Sequence, residues 1–396
     1  MFKPRAVRDN VFWFGAVRWE KGVSHTLSQL HDGSSSNCYF LRGSDSNALI
    51  DTAPAACGDP LLEQLREVDS IGYVVVQNAS FECCGMLPDI MALYESSLVV
   101  CTEQCASILN ANFGIDPTRI RTVKSGDTLS LGTKTFTFIE LPPTPWPGSM
   151  CSFVQEDHLF FSGSLFSAHF ATSDLYAYDR VRIYPGAKRF FAENFMPFMA
   201  LLKPYIQLIE SFEPSLIAPA HGPLHYDAPF IINAYKNWLN DNPKNFVALP
   251  YVSMHGSTKR MIDYLVRELS SFSIPVQPIN MALNGQDALA CALLDAATIV
   301  FGSPTIHSGP HPLMVQTASI VNGLKPKAFN CAVVGSYGFE SMMPKMLTGL
   351  LNSLNVQHLK PLLCRGIPGE KDYAALEKLA EEIAENHVDE NLELGT

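Results

Sequence analysis

No Cys-x-x-Cys pair occurs among the ten cysteines of this 396-residue chain. Neither a zinc ribbon nor a dithiol redox pair is therefore written in it, and scattered reduced thiols fit a cytoplasmic setting. No apolar run approaches the length of a membrane span, and MFKPRAVRDN carries no signal-peptide core. Basic charge is short: 28 Lys and Arg face 39 Asp and Glu, a net charge of −11. The deficit is −7 over residues 1–246 (18 basic, 25 acidic) and −4 over residues 247–396 (10 basic, 14 acidic). Neither half carries a basic face, which argues against nucleic acid and anionic membrane as partners. Charged residues make up 17% and hydrophobic ones 47%, so the chain has ample core and no signature of disorder. Internal repeats and low-complexity stretches are also missing.

What is present divides in two, as the length leads one to expect. Residues 1–246 alternate strand-like runs with turns: VFWFG, NCYFLRG, NALIDTAP, GYVVVQN, SLVVC, FTFIELPP, HLFFSG and SLIAPAHG. Amphipathic stretches separate some of them, such as DPLLEQLREV with Leu61, Leu62, Leu65 and Val68 on one face. The texture changes near NDNPKNF (240–246). From 247 to 390, strand and helix patterns alternate strictly, which predicts a doubly wound parallel sheet. Residues 391–396 read as an acidic tail, the start of a linker cut short. Pro250 falls in the first strand of the second half, where its missing N–H predicts a bulge or local break.

Three loops follow strands of that second half. Ser253-Met254-His255-Gly256-Ser257-Thr258 lies between its first strand and first helix. Gly302-Ser303-Pro304-Thr305-Ile306-His307-Ser308-Gly309 and Gly335-Ser336-Tyr337-Gly338-Phe339 follow later strands. A mononucleotide phosphate needs converging N–H donors and short hydroxyls, and a Ser/Gly/Thr loop at a helix N-terminus supplies both without Lys or Arg. Strand-to-helix turns favour Gly and Ser in any case. The reading therefore rests on all three loops together, in order and at flavodoxin-like spacing, and it points to FMN as the cofactor.

The first half holds a frame whose contents do not match it. In VVVQNASFECCGMLPDI (74–90) an apolar strand runs into a loop and then a helix opened by Gly85-Met86-Leu87-Pro88. This resembles the metal loop of the metallo-β-lactamase fold, and the pair NCYFL and ALIDT resembles the hairpin with which many such folds begin. A metallo-β-lactamase-like αββα sandwich followed at once by a flavodoxin-like sheet is the layout of the flavodiiron proteins (A-type flavoproteins). GSPTIHSGPHP and GSYGFES resemble that family's flavin loops, and IAPAHGP its last metal motif. WEKGVSHTLSQLHDGSSSNCYFL resembles the cyanobacterial and photosynthetic branch, whose members usually carry a further C-terminal flavin reductase domain that this chain lacks.

The resemblance implies where two irons would be held: H-x-E-x-D, then 62 residues, H, then 18, D, then about 60, H. Here Asn78, Ser80 and Glu82 occupy the first three positions, and 62 residues on (83–144) comes Pro145. After 18 more (146–163) comes Ser164, and after 56 more His221, which alone keeps the family's residue. Two irons bring at least four positive charges that a buried site must offset with carboxylates. One carboxylate, one imidazole, a serine, an amide and a proline do not, so no diiron centre is expected. Cys83 or Cys84 with Glu82 and His221 forms a zinc-like donor set. The favoured alternative leaves His221 and His225 as hydrogen-bonded relics.

In that family FMN feeds electrons to the irons, which reduce oxygen to water or nitric oxide to nitrous oxide. A head-to-tail dimer sets the FMN of one subunit against the irons of the other. The resemblance thus implies an FMN-bearing electron-transfer subunit of an oxygen-reducing system. Its partner would be a metal-replete paralogue in a heteromer, or a second copy in a homodimer, with NAD(P)H supplying electrons through the missing reductase domain. Three alternatives stand beside it: a flavin-only oxidase making hydrogen peroxide, a non-catalytic assembly partner, and a metallohydrolase with a rebuilt zinc site.

Overall fold

A computed structural model describes residues 3–22, 30–283, 285–390 and 392. Residues 23–29 of the stretch that resembles the photosynthetic branch, and the acidic tail apart from Leu392, lie outside the described residues. The chain divides into two compact units after Leu239.

The first unit is a sandwich of two sheets. One has seven strands in the order Arg5–Arg8, Val11–Trp13, Tyr39–Arg42, Asn47–Ile50, Tyr73–Val75, Leu98–Cys101 and Ile120–Thr122. The other has five: Thr128–Ser130, Thr135–Glu140, Met150–Val154, Leu159–Gly163 and Leu216–Pro219. Because side chains alternate across a strand, each strand of the first sheet feeds two layers. Tyr39, Leu41, Ala48, Ile50 and Val75 face the second sheet and meet Phe136, Phe138 and Phe161. Phe40, Leu49, Val74 and Val99 face outward, beneath helices Gly58–Leu65, Leu87–Leu93 and Glu103–Phe113. This two-sided burial explains why these strands read as continuous apolar runs.

The parallel strands of the second unit run in the spatial order Val276–Asn280, Lys244–Tyr251, Ala296–Ile306 and Asn330–Tyr337, and the fifth position is shared by the short strands Gln357–His358 and Leu362–Arg365. In sequence order that is 2-1-3-4-5, the flavodoxin-like winding, with its topological switch point between Lys244–Tyr251 and Ala296–Ile306. Helices Ser257–Ser271 and Glu370–Asp389 pack through Met261, Leu265, Leu376 and Ile383 into one core with Val247, Leu249 and Val300. Buried His387 of the last helix ties it to the sheet, its Nδ1 2.8 Å from Asn245 Oδ1 and its Nε2 2.7 Å from Thr298 Oγ1.

The break expected at Pro250 is one-sided: next to Ala296–Ile306 the pairing passes from Ala248 to Tyr251 without Leu249 or Pro250, and next to Val276–Asn280 it is continuous. Pro250 pairs in register with Ile279, and the register shift lies earlier, between Lys244 and Val247. The strand starts at Lys244, ahead of residue 246 where the texture of the sequence changes. Among the described residues no helix is long and apolar enough to cross a membrane.

Candidate functional site

The loop that resembles a metal loop and the three phosphate-type loops belong to different units. In the first unit, strand Tyr73–Val75 delivers Gln77 and Asn78 into the interior. Gln77 Nε2 donates to Phe161 O at 2.7 Å, and its backbone N–H donates to Asp51 Oδ1 at 2.8 Å. The Asn78 amide is wholly engaged by protein: Nδ2 reaches Ser164 Oγ at 3.2 Å and Cys83 Sγ at 3.4 Å, while Oδ1 accepts from Ser80 N at 3.0 Å. Ser80 is an N-cap whose Oγ accepts from Cys83 N at 3.3 Å. That cap starts a short helix, Phe81–Cys84, ahead of the helix expected from Gly85 onward. Glu82 and Cys83 therefore sit on a helix and not in an open loop. Glu82 turns to Arg18 at 3.1 Å.

The structure thus brings Asn78, Ser80 and Ser164 together, and directs the one carboxylate of the old set to a cation. Pro145 lies half-buried in the turn between Thr144 and Trp146 and offers no side-chain donor. His221 is buried, with Nδ1 2.8 Å from Ser35 O. Its ring centroid lies 5.2 Å from that of His169, whose own Nδ1 is 2.9 Å from Ser34 Oγ.

Among the described residues, no three His, Cys, Asp or Glu side chains are gathered so as to hold a metal ion. The zinc-like alternative is not assembled either. Burial pushes the Cys83 and Cys84 thiols up, so both remain protonated, and Cys84 donates to Asn78 O at 3.0 Å. His225 is no companion to His221 in an open pocket. It is fully buried, bonds Phe166 O at 2.8 Å, and burial lowers its pKa to about 4. The residues present do not fit a pair of irons.

Two residues of this region escaped the sequence reading. His169 is one, and its spacing of five residues from Ser164 gave no signal. The other is Asp51, with φ of 53°, whose carboxyl burial raises to about 7. The apolar run before it announced a strand end, but not a buried acid.

In the second unit the first and third loops converge. Thr258, buried at the start of helix Ser257–Ser271, has its Oγ1 3.0 Å from Ser336 Oγ. Gly256 caps that helix with φ of 90°, a conformation that disfavours a side chain, and faces open space. Ser253 Oγ accepts from Lys259 N at 3.2 Å. The Lys259 ammonium is drawn away to Asp263, at 2.6 Å and 2.8 Å. With the Lys259 and Arg260 N–H groups taken by Ser253 Oγ and Gly256 O, the N–H groups of Ser257 and Thr258 remain at this end, beside short hydroxyls. Met254, His255 and Ser257 complete the loop, the first two exposed.

The second loop departs from expectation. Strand Ala296–Ile306 runs through Ser303, Pro304, Thr305 and Ile306, then reverses at His307 and Ser308, both at positive φ, to pair with Gly309–Pro310. It is a hairpin and not a direct strand-to-helix turn. Ser303 is fully buried; its Oγ donates to Pro304 O and accepts from His311 N. Thr305 Oγ1 lies 2.7 Å from Ser341 Oγ, and Ser308 Oγ donates to Glu340 Oε1 at 3.2 Å. These bonds tie the hairpin to the third loop, where Tyr337 is half-buried, Gly338 O accepts from Arg365 Nε at 3.1 Å, and Phe339 is 93% exposed. The sites singled out after the first, third and fourth strands therefore share one edge, and the first two flank the switch point.

Residues 34–222 match the family described as ODP family beta lactamase. The chain is a metallo-β-lactamase-like α/β sandwich followed by a flavodoxin-like sheet. It is 29% identical over 366 residues to a nitric oxide reductase of Moorella thermoacetica, covering 90% of this chain and 92% of the relative. Its fold is similar to that of rubredoxin oxygen:oxidoreductase from Desulfovibrio gigas, with a TM-score of 0.92, 24% identity, and coverage of 97% and 98%. It is similar too to the flavodiiron protein of Giardia intestinalis, with a TM-score of 0.91, 23% identity, and 98% of both chains covered. These solved structures show the fold that the chain shares with them.

Proposed function

We propose that this chain is a redox flavoprotein of the flavodiiron type that carries FMN and has lost its own iron chemistry. One observation carries the reading. Asn78, Ser80, Ser164 and Glu82 are all engaged with other protein groups where a metal site would need them aimed at cations. The flavodoxin-like switch point meanwhile keeps its loops. Bound at that edge, FMN supplies reversible electron uptake and release. The N–H groups at the start of helix Ser257–Ser271 and the Thr258 and Ser336 hydroxyls hold its phosphate. The His307–Ser308 turn, Tyr337 and Gly338 line the ring side.

A flavin held there would pass its electrons to the iron site of a metal-replete paralogue in a head-to-tail heteromer, the arrangement that the family resemblance implies. NAD(P)H is the ultimate donor and oxygen the acceptor. A visible spectrum with iron and zinc quantification on one sample tests the first half: a yellow, metal-free protein is expected, and stoichiometric iron refutes it. Co-expression with an iron-replete paralogue tests the second. A complex that consumes more oxygen than the paralogue alone is expected. Hydrogen peroxide as the product of this chain alone would favour a flavin-only oxidase instead.

A further inference from the structure

On the outer face of the seven-stranded sheet of the first unit, three aromatic rings cluster at strands Val11–Trp13 and Tyr39–Arg42. Phe12 and Phe40 are cross-strand partners, and Phe14, two residues along from Phe12, shares its face. The Phe14 and Phe40 rings stack at 5.3 Å, and Phe12 lies 6.4 Å from Phe40. Beside helix Gly58–Leu65, half-buried Phe12, backed by buried Phe14 and Phe40, lines a groove of about 490 Å³. That size suits a small molecule of drug-like dimensions.

Gln64 lines the groove and is only 3% exposed. Its Nε2 donates to Gly15 O at 3.2 Å, while its Oε1 is buried without a hydrogen-bond partner. A buried orphan acceptor costs about 1–3 kcal/mol unless a donor reaches it. A bound molecule with an N–H or O–H supplies that donor. Around the floor stand Arg42, Arg66 and Lys3, opposed by Glu63 and Glu67. Among the described residues neither Arg42 nor Arg66 is ion-paired. Three cations against two carboxylates leave room for one negative charge and oppose a polyanion.

We infer that this groove binds a flat aromatic molecule bearing a single anionic group and one hydrogen-bond donor. The rings lie on Phe12, which Phe14 and Phe40 hold from beneath, the donor meets Gln64 Oε1, and the anion meets Arg42. The site lies wholly in the first unit and is independent of the flavin edge.

The probe is 1-anilinonaphthalene-8-sulfonate, which combines fused rings, one sulfonate and one N–H. It is titrated calorimetrically into the full chain as purified, with its own flavin in place. Saturable one-site binding is expected, weakened about tenfold, the equivalent of 1.4 kcal/mol, in both Phe12→Ser and Arg42→Ala. Arg42 is exposed, so that variant tests the site without threatening the fold. Absence of saturable binding, or equal affinity in wild type and both variants, overturns the inference. Binding of ADP at the same groove with comparable affinity overturns the single-anion assignment.

Discussion

Asp51→Asn isolates the energetic cost of a carboxylate held in the sandwich core. Burial raises the Asp51 carboxyl from its usual 3.8 to about 7, against a partly compensating bond from Gln77 N. About three pKa units correspond to about 4 kcal/mol between the two protonation states. The sign follows from the raised value. The folded chain holds the proton more tightly, so this stability is complete below pH 3.8 and is lost as pH rises through 7. His225 runs the other way. With its pKa lowered to about 4 from 6.5, it costs about 3 kcal/mol as pH falls through that window. Between about pH 4 and 6.5 the two slopes oppose each other and flatten the wild-type curve.

Asn is a fitting replacement because it tolerates the positive φ of 53° and still accepts from Gln77 N. The variant is expected to match or exceed wild-type stability at pH 8. On acidification from 6.5 to 4 it should lose stability more steeply, since His225 is then unopposed. The assay is urea unfolding across that pH range followed by tryptophan fluorescence. All four tryptophans (Trp13, Trp19, Trp146 and Trp238) lie in the first unit, so the signal reports that unit alone. A variant clearly less stable than wild type at pH 8, or one with an unchanged pH slope, would refute the reasoning.

Three further outcomes follow from the geometry. Thr258→Val removes the hydroxyl facing Ser336 at nearly constant volume and should raise the FMN dissociation constant about three- to tenfold, read by flavin fluorescence. Unchanged affinity would separate that hydroxyl from the phosphate. Gly335→Ala places a Cβ 2.0 Å from Ser303 O, between two paired central strands. It should destabilise the second unit by about 1–3 kcal/mol and release flavin on dilution, with far-UV circular dichroism during unfolding as the check. Ser164→Asp restores one carboxylate but leaves Glu82 with Arg18 and Pro145 without a donor. Anaerobic ferrous titration with elemental analysis should still find iron well below one per chain, and two irons bound would show that the loop repacks on demand.

The fold was largely legible because its strands are buried on both sides, and such runs as VVV (74–76) and the alternation after residue 246 admit few other readings. The hairpin at His307 and Ser308 was not legible: Gly, Ser and Pro announce a chain reversal without saying whether a strand or a helix comes next. Pro250 was legible in part. Its lost donor interrupts the pairing with Ala296–Ile306 without shifting the register there, and the register shift falls between Lys244 and Val247. Of the candidate site, the residue types at Asn78, Ser80, Glu82, Pro145 and Ser164 could be read from the sequence, but not the partners that each side chain meets.

Residue types and spacing by themselves set the two-part architecture, the shortage of charge at positions 78, 80, 82, 145 and 164 and the order of the hydroxyl-rich loops. Only the folded chain decided that Ser80 caps a helix, that Glu82 meets Arg18 and that Asn78 meets Ser164. The distinction is physical: a periodic pattern is a local property, whereas those last two partners lie 64 and 86 residues away. Their geometry is set by how two sheets pack, and no local pattern encodes it.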